Sequence, residues 1–247
     1  PPCLSLGRNQ PALGVYDRAA AAARGIDIVR RPTGGRAVLH YRELTYCVAV
    51  PVGELGSPRE TYAAINRALV AGLRRLGVPA LVVPERAAAA GPRAPAASGV
   101  PAPWREALGG TPCFDAAAPG EVMAQGRKLV GSAQCREGHV LLQHGSLLLD
   151  DDQATVVELL LAREAEAGGA RGQGGLAQAL ERAARPSTLR ELLGRAPARD
   201  ALERELAEGF QEALGIRLAP GELSRTERAA AGRWTVHFRS DAWTWRR

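Results

Sequence analysis

Apolar and polar positions alternate in short runs over the first half of this chain and recur at helical spacing over the second. Ile26-Asp27-Ile28-Val29-Arg30 is an alternating, β-branched stretch that runs into a Pro-Thr-Gly-Gly turn, which predicts a strand. Leu44-Thr45-Tyr46-Cys47-Val48-Ala49-Val50 predicts a second strand, closed by Pro51. Ser57 then reads as a helix N-cap, with Pro58 at the first helical position and Glu60 three residues after the cap. Ile65, Leu69, Leu73 and Leu76 mark the apolar face of that helix, and Gly77 ends it. Residues 85–103 are rich in Ala, Pro, Gly and Arg, lack periodicity, and read as a mobile surface loop. Strands resume around Cys113-Phe114 and at 122–125, 128–134 and 139–149, with Gly138 turning the last two into a hairpin. Beyond Gln153 the spacing is helical, at 189–193, 201–214 and 220–231, with Asp200 and Ala219-Pro220 as start signals. A sheet-rich core followed by helices defines the α+β class. The expected division is a domain over 1–164, a Gly/Ala linker over 165–175 and a helical C-terminal region over 176–247. The aromatic run from Trp234 to Trp245 has no place in this pattern.

Composition narrows the class. The 247 residues are 46% hydrophobic and 23% charged, ordinary values for a globular protein with a real core. No run of about 18 apolar residues is present, so no membrane span is expected, and the start has no signal-peptide pattern. The sequence opens on Pro1-Pro2 and its only methionine is Met123, so a fragment or trimmed chain is expected. Cys3, Cys47, Cys113 and Cys135 are scattered, with no C-x-x-C pair and no histidine at ligand spacing. That argues against a zinc site or a disulfide framework and suits a reducing cytoplasm. The net charge is +6, but the arginines are dispersed without aromatic interleaving, which disfavours nucleic acid and suits an acidic protein partner.

One residue stands apart from this composition. Lys128 is the single lysine among 32 Lys+Arg. Arginine does not titrate in a protein, whereas a lysine ammonium is a compact charge that responds to desolvation. Lys128 is therefore a candidate for chemistry that guanidinium cannot perform. It lies in Gly126-Arg127-Lys128-Leu129-Val130-Gly131-Ser132-Ala133-Gln134, across the Gly138 turn from Gln143-His144-Gly145-Ser146. Small residues beside polar ones in paired strands suggest a close-packed groove floor. Arg30-Arg31-Pro32-Thr33-Gly34-Gly35-Arg36-Ala37-Val38-Leu39-His40 brings a glycine turn between two strands, fit either for a backbone N–H nest or for a plain hairpin with solvated arginines. His40 and His144 suit a ligand contact or a structural hydrogen bond equally. Cys113 would become a nucleophile if a cation lowered its pKa from about 8.5, and Lys128 could supply that charge. Cys3, Cys47 and Cys135 read as inert fillers.

These stretches, in this order, resemble the lipoate/biotin protein ligase superfamily, and Leu4-Ser5-Leu6-Gly7-Arg8-Asn9-Gln10 looks like its early strand and turn. The likeness covers residues 1–150, continues loosely through Leu206-Ala207-Glu208-Gly209-Phe210, and implies that the family's first helix and strand precede Pro1. It implies a mixed, largely antiparallel sheet with flanking helices. Arg36 stands where adenylate-forming ligases tend to carry a third glycine, and Glu43-Leu44-Thr45-Tyr46 follows as in the cysteine-dependent octanoyltransferase branch. In that branch the nucleophile lies in a Cys-Phe pair upstream of the Gly-Arg-Lys motif, places held here by Cys113-Phe114 and Lys128. The resemblance thus implies Cys113 and Lys128 as catalytic residues. It implies Arg31, Gly34, Gly35, Arg36, His40, Gly131, Ser132, Ala133, His144 and Gly145 as the substrate site, with no metal. The implied donor is octanoyl-acyl carrier protein and the implied acceptor a lysine of the glycine-cleavage H protein or another lipoyl domain. No cofactor is implied, and a monomer is compatible with this. The alternatives are an ATP- and Mg-dependent lipoate–protein ligase, an octanoyl amidotransferase between carriers, and a non-catalytic acyl- or carrier-binding protein.

Overall fold

The computed structural model describes residues 1–84, 119–159 and 185–247. The chain opens with β1 (Cys3–Leu6), α1 (Arg18–Ala23), β2 (Asp27–Arg30), β3 (Val38–His40) and β4 (Glu43–Pro51). Helix α2 (Pro58–Arg75) leads to β5 (Ala80–Val82), and β6 (Val122–Ala124), β7 (Arg127–Glu137) and β8 (Val140–Leu148) follow. The remaining helices are α3 (Ala154–Glu158), α4 (Leu189–Leu193), α5 (Arg199–Leu214), α6 (Arg225–Phe238) and α7 (Asp241–Thr244). The strands form two sheets: a three-stranded one, order β2-β1-β3, and a five-stranded antiparallel one, order β4-β8-β7-β6-β5. Among the described residues only β1 and β2 run parallel, joined through the crossover helix α1. The α+β, largely antiparallel reading is what the fold shows.

Local signals account for the elements that place the site. The Ser57 Oγ accepts from the Glu60 N–H at 3.3 Å, and Glu60 Oε2 accepts from the Ser57 N–H at 2.7 Å, closing the capping box of α2. Gly77, with φ of +81°, ends that helix. Gly138, with φ of +56°, makes the two-residue turn that pairs Glu137 with Val140 and sets the register of β7 on β8. Other elements depart from expectation. The helix expected over 220–231 is α6, Arg225–Phe238, because a second capping box at Ser224 and Glu227 outcompetes the Ala219-Pro220 start. Helix α5 begins at Arg199 rather than Ala201, with Asp200 in its first turn, where a carboxylate faces the positive end of the helix dipole. The short helix α1, capped by Asp17, and strand β5 carry too little periodicity to be read from sequence. The expected loop over 85–103, the Cys113-Phe114 strand and the linker over 165–175 lie outside the described residues.

The main core lies between α2 and the five-stranded sheet, where Ile65, Leu69 and Leu73 meet Leu44, Val130 and Leu147. The helices after residue 189 share it: Leu189, Leu202 and Leu206 belong to the same buried cluster. Helices α2 and α5 approach backbone to backbone at two glycines. A Cβ on Gly209 would lie 2.1 Å from the Gly72 nitrogen. Gly209→Ala is therefore expected to lower stability by about 1–2 kcal/mol despite alanine's better helix propensity. Thermal unfolding checks this, and an unchanged midpoint would refute the close approach.

The C-terminus, unplaced by sequence, closes the small sheet. Trp245 packs on the core formed by Leu4, Leu6, Tyr16 and Leu39. The Trp243 Nε1–H donates to the Arg30 carbonyl at 2.7 Å, and Trp243 meets His237 at a tilt and Phe238 edge-on, while Phe238 in turn stacks on Trp234. Arg30 itself, 1% exposed, donates to the carbonyls of Gly7 (2.6 Å), Gln10 (2.7 Å) and Thr244 (2.8 Å). A guanidinium thus ties β2 to the first turn and to the last helix. Among the described residues no helix is long and apolar enough to cross a membrane.

Candidate functional site

Residue pairing in the β7–β8 hairpin sets Gly131 opposite Ser146 and Ala133 opposite His144. Strand side chains alternate, so Gly131, Ala133, His144 and Ser146 share one face of the large sheet. That face looks onto the small sheet. Val38 and Leu148 touch across the gap, Thr33 Oγ1 and His144 Nε2 share a hydrogen bond of 2.7 Å, and Ser146 Oγ lies 3.1 Å from His40 Nδ1. Between them runs a narrow cleft, continuous with solvent, walled by Arg31, Gly35, Val38 and His40 on one side and by Gly131–Ala133 and His144–Ser146 on the other. The absent or minimal side chains of Gly131 and Ala133 are what leave the space open.

The walls are held by polar contacts. Arg31 is buried and cages the glycine turn, donating to the carbonyls of Ser5 (2.7 Å), Gly34 (2.9 Å) and Arg36 (2.7 Å). Gly7 backs that turn so closely that a Cβ there would lie 1.8 Å from the Gly35 carbonyl oxygen. His40 Nδ1 sits 2.5 Å from Glu43 Oε1, and that carboxylate is almost wholly buried. Burial, aided by the charges of Arg31 and His40, holds the His144 imidazole down at about 4. A depressed folded-state pKa means that on acidification the unfolded chain takes up this proton first. The stability contribution is then whole above pH 6.5, the ordinary value, and is lost as pH falls toward 4. Allowing for its partial exposure, about 2 kcal/mol is at stake. Urea unfolding across that window should show the loss in the parent and a flatter profile in His144→Gln; equal slopes would contradict it.

The opposite face of the same strands is polar and closed. Tyr46 Oη and Ser132 Oγ are 2.6 Å apart, and Gln143 Nε2 donates to Tyr46 Oη (3.1 Å) and to Asn66 Oδ1 (3.2 Å). Asn66 in turn donates to the Gly120 carbonyl at 2.7 Å. Gly145 must lack a side chain here, since a Cβ would lie 2.6 Å from the Tyr46 ring and 2.3 Å from the Gly131 carbonyl oxygen. The network therefore fixes the backbone of the cleft floor from behind.

Lys128 lies on β7, three residues before Gly131, and is 4% exposed. Its Nζ is 2.7 Å from Glu121 Oε1, also buried. Tyr62 of α2 stands near enough that the Glu121 charge, after burial, pushes its phenol up. The described cysteines make poor nucleophiles. Burial raises the Cys3 thiol to about 11 and lifts Cys47 and Cys135 as well. Cys113 lies outside the described residues. Among the described residues no group of three or more His, Cys, Asp or Glu could hold a metal ion.

The structure thus brings Arg31, Gly35, His40, Gly131, Ser132, Ala133, His144 and Gly145 to one cleft. Gly34 and Arg36 lie on the turn behind its wall, their carbonyls spent on Arg31. Arg30 and Arg31 are buried, so the plain hairpin with solvated arginines is not what forms. Sequence reasoning missed Thr33, Asn66, Glu121 and Gln143. Asn66 left a trace, a polar residue beside Ile65 on the apolar stripe of α2, and Gln143 another, an amide in an apolar strand.

Two sheets enclosing a cleft, with a buried lysine–glutamate pair on the strand that floors it, are the architecture of a catalytic domain of the lipoate-ligase type. Residues 1–211 match the family model of the lipoyl protein ligase A/B catalytic domain. Octanoyltransferase LipM of Kyrpidia tusciae is 42% identical over 251 residues, spanning 100% of this chain and 84% of the relative. Octanoyltransferase LipM of Symbiobacterium thermophilum is 40% identical over 258 residues, with the same 100% and 84% coverage. The bipartite lipoate protein ligase of Thermoplasma acidophilum shares the fold at a TM-score of 0.71 and 18% identity, over 99% of this chain and 80% of that one. The chain belongs to the lipoyl protein ligase A/B catalytic domain family, and within it stands with the acyltransferases.

Proposed function

We propose that this chain carries out octanoyl transfer in protein lipoylation through a Cys113 thioester. The observation that carries the reading is the chain's one lysine, buried as half of an ion pair on the strand that floors the inter-sheet cleft. Full-length similarity to octanoyltransferases supports it. The Cys113 thiolate attacks the thioester carbonyl of octanoyl-acyl carrier protein. A new C–S bond forms, the old one breaks, and the departing sulfur takes a proton from the Lys128 ammonium. The ε-amine of a lysine on a lipoyl-carrier protein, with the glycine-cleavage H protein as first acceptor, then attacks the enzyme thioester. The amide forms, its surplus proton returns to Lys128, and Cys113 leaves as thiolate. Two easier steps replace one. A thioester is already activated, so the reaction needs neither nucleotide nor metal. The octanoyl chain lies over Gly131 and Ala133 between Val38 and His40, and backbone N–H groups near Gly131 to Ala133 would stabilise each oxyanion. A positive chain suits an acidic carrier.

Intact-mass analysis after mixing the protein with octanoyl-acyl carrier protein, without ATP, tests this. A stable octanoyl adduct that a lysine of the H protein discharges is expected. Activity that requires ATP and leaves no adduct would make the chain a ligase instead.

A further inference from the structure

No residue of helix α6 is buried, so packing into the core does not explain its sequence. Its two sides differ in kind. Trp234, His237 and Phe238 lie on one side and gather toward Trp243, which is anchored on the Arg30 carbonyl of β2. Arg225, Arg228, Gly232, Val236 and Arg239 recur every three or four residues on the other side, with Arg233 at its edge. All of them are exposed, so the ring cluster turns the arginine side outward. Residues 222–247 hold six arginines against three acidic side chains. Glu227 closes the helix cap, Asp241 pairs with Arg18, and Glu222 reaches Arg228 only at 3.7 Å, both partners largely in water. Helix stability does not call for cations here either. Arg225 occupies the first helical position, where the helix dipole disfavours positive charge. A face of one sign has an acidic surface as its complement.

Positive charge continues from this helix to the cleft. Arg246 lies over the Trp243 ring, 4.1 Å from its centroid, and donates to the Arg8 carbonyl. Exposed Arg8 donates its N–H to the Thr33 carbonyl at 2.8 Å, and Thr33 meets His144 across the cleft. An acidic carrier that presents its acyl group on a long, phosphate-bearing arm matches both features. Its body suits the arginine face, and the phosphate of its arm suits Arg246 and Arg8. An acceptor that presents a lysine has no such arm. A lipid surface fits less well, because the outward face offers Val236 but no broad apolar side to insert.

We propose that the arginine face of α6 is the docking surface for the acidic acyl carrier protein that donates the acyl group. This rests on the transferase reading. The carrier seats on Arg225, Arg228, Arg233 and Arg239, and its arm runs past Arg246 and Arg8 to the cleft.

The test is the triple variant Arg225→Glu/Arg233→Glu/Arg239→Glu in the full chain, read by KM and limiting rate of acyl-enzyme formation from octanoyl-acyl carrier protein. Reversing three charges is expected to raise KM at low salt by about 10-fold or more with the limiting rate unchanged. The rise of KM with salt should flatten as well. Octanoyl-pantetheine, which has the thioester but neither protein nor phosphate, should acylate parent and variant equally. Discharge of the acyl-enzyme to the acceptor lysine should also stay the same. An unchanged KM, an equal loss with the small thioester, or slowed discharge in place of slowed loading overturns the proposal. Co-sedimentation of the parent with phosphatidylglycerol vesicles, lost in the variant while KM stays unchanged, would make the face a membrane contact instead. Should the triple variant fail to fold, Val236→Asp carries the same test. That side chain is 75% exposed, and one added negative charge amid the arginines should raise KM about threefold. If the parent forms no acyl-enzyme from either donor, it is the transferase reading that fails.

Discussion

Cys113→Ser is expected to abolish octanoyl transfer, with a loss on the order of 10⁴-fold or more, and to remove the octanoyl adduct from the intact-mass spectrum. The substitution exchanges sulfur for oxygen and adds no bulk, so the fold and the cleft should persist. A hydroxyl beside an ammonium stays protonated near neutral pH, whereas a thiol of ordinary pKa about 8.5 is within reach of a single positive charge. The specificity of the test lies in the other cysteines. Burial lifts the thiols of Cys3, Cys47 and Cys135, so none of them should substitute for Cys113. An adduct that survives Cys113→Ser and maps to one of these would refute the assignment.

Lys128→Arg should lower transfer by about 10²–10³-fold while keeping the charge. Guanidinium does not release a proton at any pH the protein survives, and its planar fork has different reach and donor geometry from an ammonium. The substitution therefore removes proton shuttling while preserving attraction for a thiolate. Separating the half-reactions makes this visible. Single-turnover acylation of Cys113, followed by discharge to the acceptor lysine, should show both steps slowed, because both move a proton through Nζ. Full retention of the overall rate would remove Lys128 from the chemistry.

How much could be read without coordinates follows from where the information lies. The capping box at Ser57 and the Gly138 turn are local signals, and both stand where the pattern put them. The start of α6 misled because two start signals lie four residues apart. The reciprocal Ser224–Glu227 bonds satisfy two backbone donors, which the Ala219-Pro220 pair cannot. Arg30 was illegible for another reason. Charge predicts exposure, yet this guanidinium is buried by carbonyls from Gly7, Gln10 and Thr244, residues far apart in sequence. The aromatic run at the C-terminus was illegible in the same way, since Trp243 and Trp245 find their partners on β2 and in the core of the small sheet.

By itself the sequence determined the periodicities, the turns and caps that punctuate them, and the types of residue able to do chemistry: a single ammonium, a Cys-Phe pair, and glycines beside histidines. These are properties of neighbours along the chain. Only the tertiary structure decided that Gly35 and Gly131 face each other across one cleft, that Thr33 meets His144 across 111 positions, and that Lys128 is answered by Glu121. Burial is the physical reason. Whether a charge costs free energy or does work depends on which groups have been brought around it in place of water, and that is set by the packing of distant strands and helices.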